Sequence, residues 1–387
     1  MTGRALAAAV LCLAVRAAPP VASQGHHIFE HPEAWRRPQS VRVADEDLLF
    51  EDRPGSGFRA RSFYFTGYLN DEIHLEISLF EWRYSLFGGW GIQVVVAGGD
   101  DPPLVIEKRI PERKITIVRE PFSVRFGDSL LEGRGGRHRV SLGLKEFGCD
   151  LLFESRVLPW QPGDGYARLD PERGAYIRLG VPAPLARVSG YINVAGRPRN
   201  VRGWGYADRS LIAVPINRMN SPTYAFRSFG PCDEAEAGWI VSVLSYESHR
   251  EFGAVTIPVL LLVEGSRWLL TTKQMSSWPG EFVQEPDLPV AYPLRFELLA
   301  EGERIDEGEA APGGLVRLEG AFVWTSMYHY SDVFTRIPAF FRSLVEVFFE
   351  RPLIFRFLGS FQGTLTLPDG TVRELSLAGH GEYTVIH

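Results

Sequence analysis

Across residues 73–79 the chain reads Ile-His-Leu-Glu-Ile-Ser-Leu, apolar and polar positions alternating without a lapse. A period of two places the apolar side chains on one face of a strand and the polar ones on the other. Similar short runs recur at 63–69, 92–96, 104–108, 115–118, 122–126, 140–144, 151–156, 188–194 and 201–206. The second half repeats the theme at 224–229, 239–246, 255–263, 268–273, 294–299, 361–367 and 373–377. Gly, Pro and Asp separate these runs. Many short strands with frequent turns predict an all-β barrel or sandwich rather than alternating helix and strand units. Between the last two runs, Pro368-Asp369-Gly370-Thr371 predicts a tight hairpin, because proline presets φ and glycine accepts positive φ.

One segment breaks the β pattern. In residues 336–350, Ile337, Phe340, Phe341, Leu344, Val345, Phe348 and Phe349 recur at helical spacing, with Arg342, Ser343, Glu346 and Glu350 opposite. Thr335 can cap this helix and Pro352 can end it. Three placements stay open: packed on a barrel, closing a ligand mouth as a lid, or touching a membrane surface peripherally.

The chain's 387 residues exceed what one core usually organises. The expected division is a signal peptide at 1–23, a leader at 24–59, one barrel at 60–215 and a second at 216–387. Arg4, the apolar run at 5–15 and Val21-Ala22-Ser23 predict a cleaved signal, hence a secreted or periplasmic protein. A lipoprotein signal built on Cys12 would want a small residue where Leu11 stands. No segment offers the roughly 20 apolar residues of a transmembrane helix. Cleavage removes Arg4 and Arg16 and no acid, taking the formal net charge from −6 to −8. That balance argues against nucleic acid as a partner. Arg134, Arg137, His138 and Arg139, set among glycines, are expected as a solvated hairpin. Cys149 and Cys232 then remain, enough for one disulfide or two buried thiols.

The familiar metal, hydrolase and nucleotide motifs are missing, so neither a metal nor a cofactor is expected. His26, His27 and His31 cluster in the leader, a poor place to hold coordination geometry. A hollow eight-stranded barrel can enclose one small ligand. Aromatic residues such as Trp82, Trp90, Trp204, Tyr206, Trp239, Trp268 and Trp278 would suit an elongated isoprenoid, carotenoid or lipid, or would simply fill the core.

The glycine-punctuated stretch Val201-Arg202-Gly203-Trp204-Gly205-Tyr206-Ala207-Asp208 ends in an acid beside two large aromatics. With Val188-Ser189-Gly190-Tyr191 before it, Tyr292-Pro293-Leu294-Arg295-Phe296 after it and the closing Gly379-His380-Gly381-Glu382-Tyr383, it resembles the carotenoid hydratase (hydroxyneurosporene synthase) family. That resemblance implies two tandem lipocalin-like (calycin) β-barrels. It also implies a cofactor-independent hydratase chemistry in which Asp208 donates a proton to a polyene while Tyr206 and Trp204 shape the pocket. The family commonly continues Asp-His-x-Trp, whereas this chain continues Arg209-Ser210-Leu211. On a regular strand Arg209 takes the opposite face; at a bend it would pair with Asp208 and depress its pKa. A second group, Tyr328, His329, His380 and Glu382, is expected to contact ligand if its strands converge, with an architectural role as Glu382's alternative. Three functions follow: a carrier of a hydrophobic molecule, a hydratase, isomerase or cyclase acting on one, or a structural protein with filled barrels.

Overall fold

The structure is a computed structural model describing residues 26–31, 35, 58–84, 87–99, 102–119, 121–214, 222–231, 237–305, 314–332 and 351–386. The expected signal peptide, Cys232 and the expected helix at 336–350 lie outside these residues.

The fold is all-β, as the alternation predicts, and built from two antiparallel sheets. The first runs from an edge at Leu104–Ile110 through Phe87–Ala97, Ile73–Tyr84 and Phe58–Leu69 to Arg197–Ile212. It continues through Ala175–Val194 and Phe147–Ser155 to a second edge at Ile115–Val118. The other sheet spans nine strands, from Arg267–Thr272 to Met275–Val283. In each sheet the two edge strands are neighbours in sequence, so the sheet must curl to bring them there. One forms a nearly closed barrel and the other a half-barrel.

Several strands are longer than the sequence runs that mark them. Ala175–Val194 has 20 residues and Leu315–Asp332 has 18. Pro182 and Pro184 hide the first of these. They sit where the register shifts between Gly180 and Ala186, because proline has no N–H for the ladder and bulges accommodate it. Pro352, expected as a helix stop, opens the strand Pro352–Thr366. The predicted turn is present: Gly370 has φ 83° and its N–H donates to the Leu367 carbonyl at 2.9 Å.

The side chains form three cores. Phe63, Ile77, Phe122, Phe147 and Phe153 fill the first barrel. Phe226, Phe296, Phe322 and Phe361 fill the second, with Phe226 stacked on Phe322 at 5.0 Å between centroids. The third core is a seam between the barrels, joining Trp160, Leu185, Trp204 and Tyr206 to Phe229, Ile240, Leu261 and Trp268. Part of the expected leader belongs to that seam rather than to solvent. His27 pairs with Arg168 in a short ladder, and Phe29 is buried. Trp82 and Trp278 are exposed instead of lining an interior. Cys149 is a buried free thiol, pushed up to about 12 by burial, which keeps it unreactive near neutral pH.

The glycines of the Gly-x-Gly motif exist because backbones cross closely here. A Cβ at Gly205 would lie 2.5 Å from Val188 Cγ2 and 2.7 Å from the Thr66 carbonyl oxygen. Gly205→Ala is therefore expected to cost about 1–3 kcal/mol by overpacking, read as a lower midpoint in chemical denaturation. An unchanged midpoint would show that the strands can separate at no cost.

Candidate functional site at the barrel seam

Alternation within each strand assigns its two faces to different cores, and this builds the site. In Arg197–Ile212, Ala207 faces the first barrel's interior while Trp204 and Tyr206 face the seam. Arg209 goes inward with Ala207: its guanidinium lies 4.6 Å from the Phe65 ring centroid and 5.2 Å from that of Phe63. The pairing with Phe58–Leu69 is regular here, so Arg209 turns to the other face from the Asp208 carboxylate and donates to the Asp208 backbone carbonyl at 2.8 Å. Arg209, expected with Trp204 to contact ligand, therefore lies in the first barrel's core and not at the seam.

Asp208, buried on the seam face, is met from the other barrel. Arg227 of Thr223–Gly230 donates to its Oδ2 at 2.9 Å, and the same guanidinium lies 4.6 Å from the Tyr206 ring and 4.8 Å from Tyr64. Burial pushes the Asp208 carboxyl upward, and the pull of Arg227, Tyr206 and Arg209 in the other direction does not overcome it. Trp204 stands apart. Its Nε1 donates to the Pro231 carbonyl at 2.7 Å, and it lines a recess of about 380 Å³ with Arg156, Arg187 and Arg267.

Tyr64 links this group to a second one. Opposite Asp208 in the ladder, it places its hydroxyl 3.1 Å from His380 Nε2. His380 stacks on His74 at 4.1 Å, and His74 Nε2 lies 2.9 Å from Glu76 Oε1. Tyr328 donates its hydroxyl to Glu76. Arg356 completes the cluster, donating to Glu382 Oε2 at 3.0 Å and to Gln93 Oε1 at 2.6 Å while lying 4.0 Å from Glu76. His74, Glu76 and His380 are buried. Burial pushes the Glu76 carboxyl up, yet Arg356, the His74 hydrogen bond and nearby His380 hold it well below the usual carboxylate range. Burial drives His380 well below its ordinary value, and neighbouring His74 adds to this. Burial, then Glu76, raises the Tyr64 and Tyr328 phenols well above theirs. The result is a buried Glu76 carboxylate near the Arg356 guanidinium, ringed by phenol and imidazole groups.

Of the residues expected from sequence, Asp208, Tyr206, Tyr328, His380 and Glu382 thus come together along the seam. His329 is half-buried opposite Arg356 in the ladder. Tyr64, His74, Glu76, Arg227 and Arg356 were missed. His74 and Glu76 occupy the polar positions of the cleanest alternating strand, which reads as a wet face until a second barrel covers it.

No family model matches the chain, and no curated protein matches it in sequence. Solved structures do resemble it. A candidate AttH protein from Nitrosomonas europaea superposes with TM-score 0.56 at 15% identity, covering 88% of this chain and 98% of that one. CghA bound to Sch210972 gives 0.60 at 12% identity, covering 92% and 96%, and CghA alone gives 0.59 at 12%, covering 94% and 97%. At such identities the likeness shows the fold: a tandem lipocalin-like pair of β-barrels.

Proposed function

We propose that this chain is an exported protein that binds a hydrophobic small molecule, an isoprenoid, carotenoid or lipid, with its oxygen-bearing end at the seam. The observation that carries this reading is the convergence of Tyr64, His74, Glu76, Tyr328, Arg356 and His380 from both barrels in a buried place. Joining two barrels needs only apolar packing, as around Trp160 and Trp268. Ionisable groups placed there instead cost free energy, and such groups concentrate where ligands are handled. Phenol, imidazole and guanidinium donors suit a hydroxyl or carbonyl oxygen, and aromatic rings such as Tyr206 suit an apolar remainder. The motif resemblance to carotenoid hydratases supports the ligand class, and the N-terminal pattern at 1–23 supports export. Solvent extraction of the purified chain, followed by mass spectrometry, is expected to release a lipophile. Added polyenes or fatty acids are expected to raise Tm. Repeatedly empty extracts together with no thermal shift reject the reading.

A second reading, hydration, isomerisation or cyclisation of a polyene, is favoured by the Asp208 carboxyl, which burial makes reluctant to ionise. Donation of its proton to a terminal alkene would leave a cation beside Tyr206, to be captured by water or to lose a different proton. Asp208→Asn is then expected to lower polyene turnover by about 10²–10⁴-fold while binding persists. Equal, negligible turnover in both proteins rejects acid catalysis and leaves the carrier reading standing.

A further inference from the structure

The seam brings together three ligand-type side chains that no sequence motif announces. One ligand atom each from His74, Glu76 and His380 can be chosen so that all three lie within 4.8 Å of one another. His74 and Glu76 stand two apart on Ile73–Tyr84, hence on one face, and His380 arrives from the final strand, Val372–Ile386.

Two further features ask for a cation. First, His74 Nδ1 and His380 Nδ1 are buried and have no hydrogen-bond partner among the described residues. A buried nitrogen left unbonded is costly, and two in stacked rings point to an absent partner. Second, no guanidinium bonds Glu76 directly. Arg227 is engaged by Asp208 at 2.9 Å, and Arg356 lies nearer Glu382, at 3.0 Å, than Glu76, at 4.0 Å. Glu76 is thus left without a guanidinium at hydrogen-bonding distance. A buried anion in that position is stabilised by a positive ion.

We propose that His74, Glu76 and His380 form a divalent transition-metal site. Two imidazoles and a carboxylate are a donor set suited to zinc, iron or a neighbouring first-row ion, with positions left open for water or a ligand oxygen. Donor atoms around such an ion sit about 3.4 Å apart, so the side chains close in by up to about 1.4 Å. Tyr64, 3.1 Å from His380 Nε2, is placed to orient that ring, and Tyr328 to orient Glu76. The site needs only these side chains and stands whether or not a lipophile binds.

The test uses metal alone. Chelator-stripped full-length chain is titrated with Zn(II) against a chromophoric chelator, and with Co(II) by visible absorption. One ion per chain is expected, with a rise in Tm. Glu76→Gln and His380→Gln, checked for folding by circular dichroism, are expected to weaken binding by roughly 100-fold or more, a direct ligand mattering at least as much as an outer-shell one. Absence of any Zn(II)-dependent rise in Tm of the wild type overturns the proposal, whether or not the variants fold. So does unchanged affinity in a folded variant, or affinity that disappears only when His26, His27 and His31 are replaced.

Discussion

Arg356→Met is expected to destabilise the protein by about 3–5 kcal/mol, the cost of breaking a buried ion pair from one side. Methionine keeps most of the aliphatic volume, so the loss is electrostatic. Glu76 and Glu382 are left facing each other's charge, and Gln93 Oε1 loses its donor. Glu76 is almost fully buried, with 6% of its side chain exposed, so water offers it little relief. Denaturant titration reads the change as a fall in midpoint at constant slope. Adding Glu76→Gln to Arg356→Met is expected to recover part of the loss, because the two residues share one network. A loss below about 1 kcal/mol would mean that the seam is wet and that the pairs behave as surface salt bridges.

Trp160→Ala is expected to cost a further, independent 3–5 kcal/mol, by leaving a cavity in the seam's apolar half. Trp160 is fully buried, its ring centroid 5.7 Å from Trp35 and 5.9 Å from Trp268 of the other barrel. It also bridges to Val181 through two backbone hydrogen bonds, which the substitution leaves in place. The loss therefore falls on the contact between barrels rather than on either barrel's interior. Besides a lower midpoint, near-ultraviolet and far-ultraviolet signals are expected to unfold at different denaturant concentrations, because the barrels no longer melt together. Coincident transitions in the variant would place the coupling elsewhere, in the polar cluster.

The sequence made the strands legible wherever one face is apolar and the other polar, as in Ile73–Tyr84. It concealed them where prolines interrupt the run, as in Ala175–Val194. Its glycine-rich motif marks strands that cross without room for a Cβ at Gly203 and Gly205, but that Asp208 and Tyr206 face a seam between barrels rather than a barrel hollow was not legible in it. The opposite facing of Asp208 and Arg209 was legible only as the regular-strand alternative, since a bend would have paired them. The partner of Asp208 was not. Arg227 looks like any solvent-facing strand residue until Thr223–Gly230 is laid against the first barrel.

What the sequence determined by itself is local: the alternation that makes strands, the turns that join them, and which residues share a face. Those follow from side-chain period and backbone φ limits, which neighbours a few positions away decide. What only the tertiary structure decided is which polar face meets water and which meets another barrel. Glu76 and His380 are ordinary outward polar residues in their own strands. They become part of a buried polar cluster because two curled sheets press their outer faces together, and desolvation depends on that long-range contact rather than on local sequence.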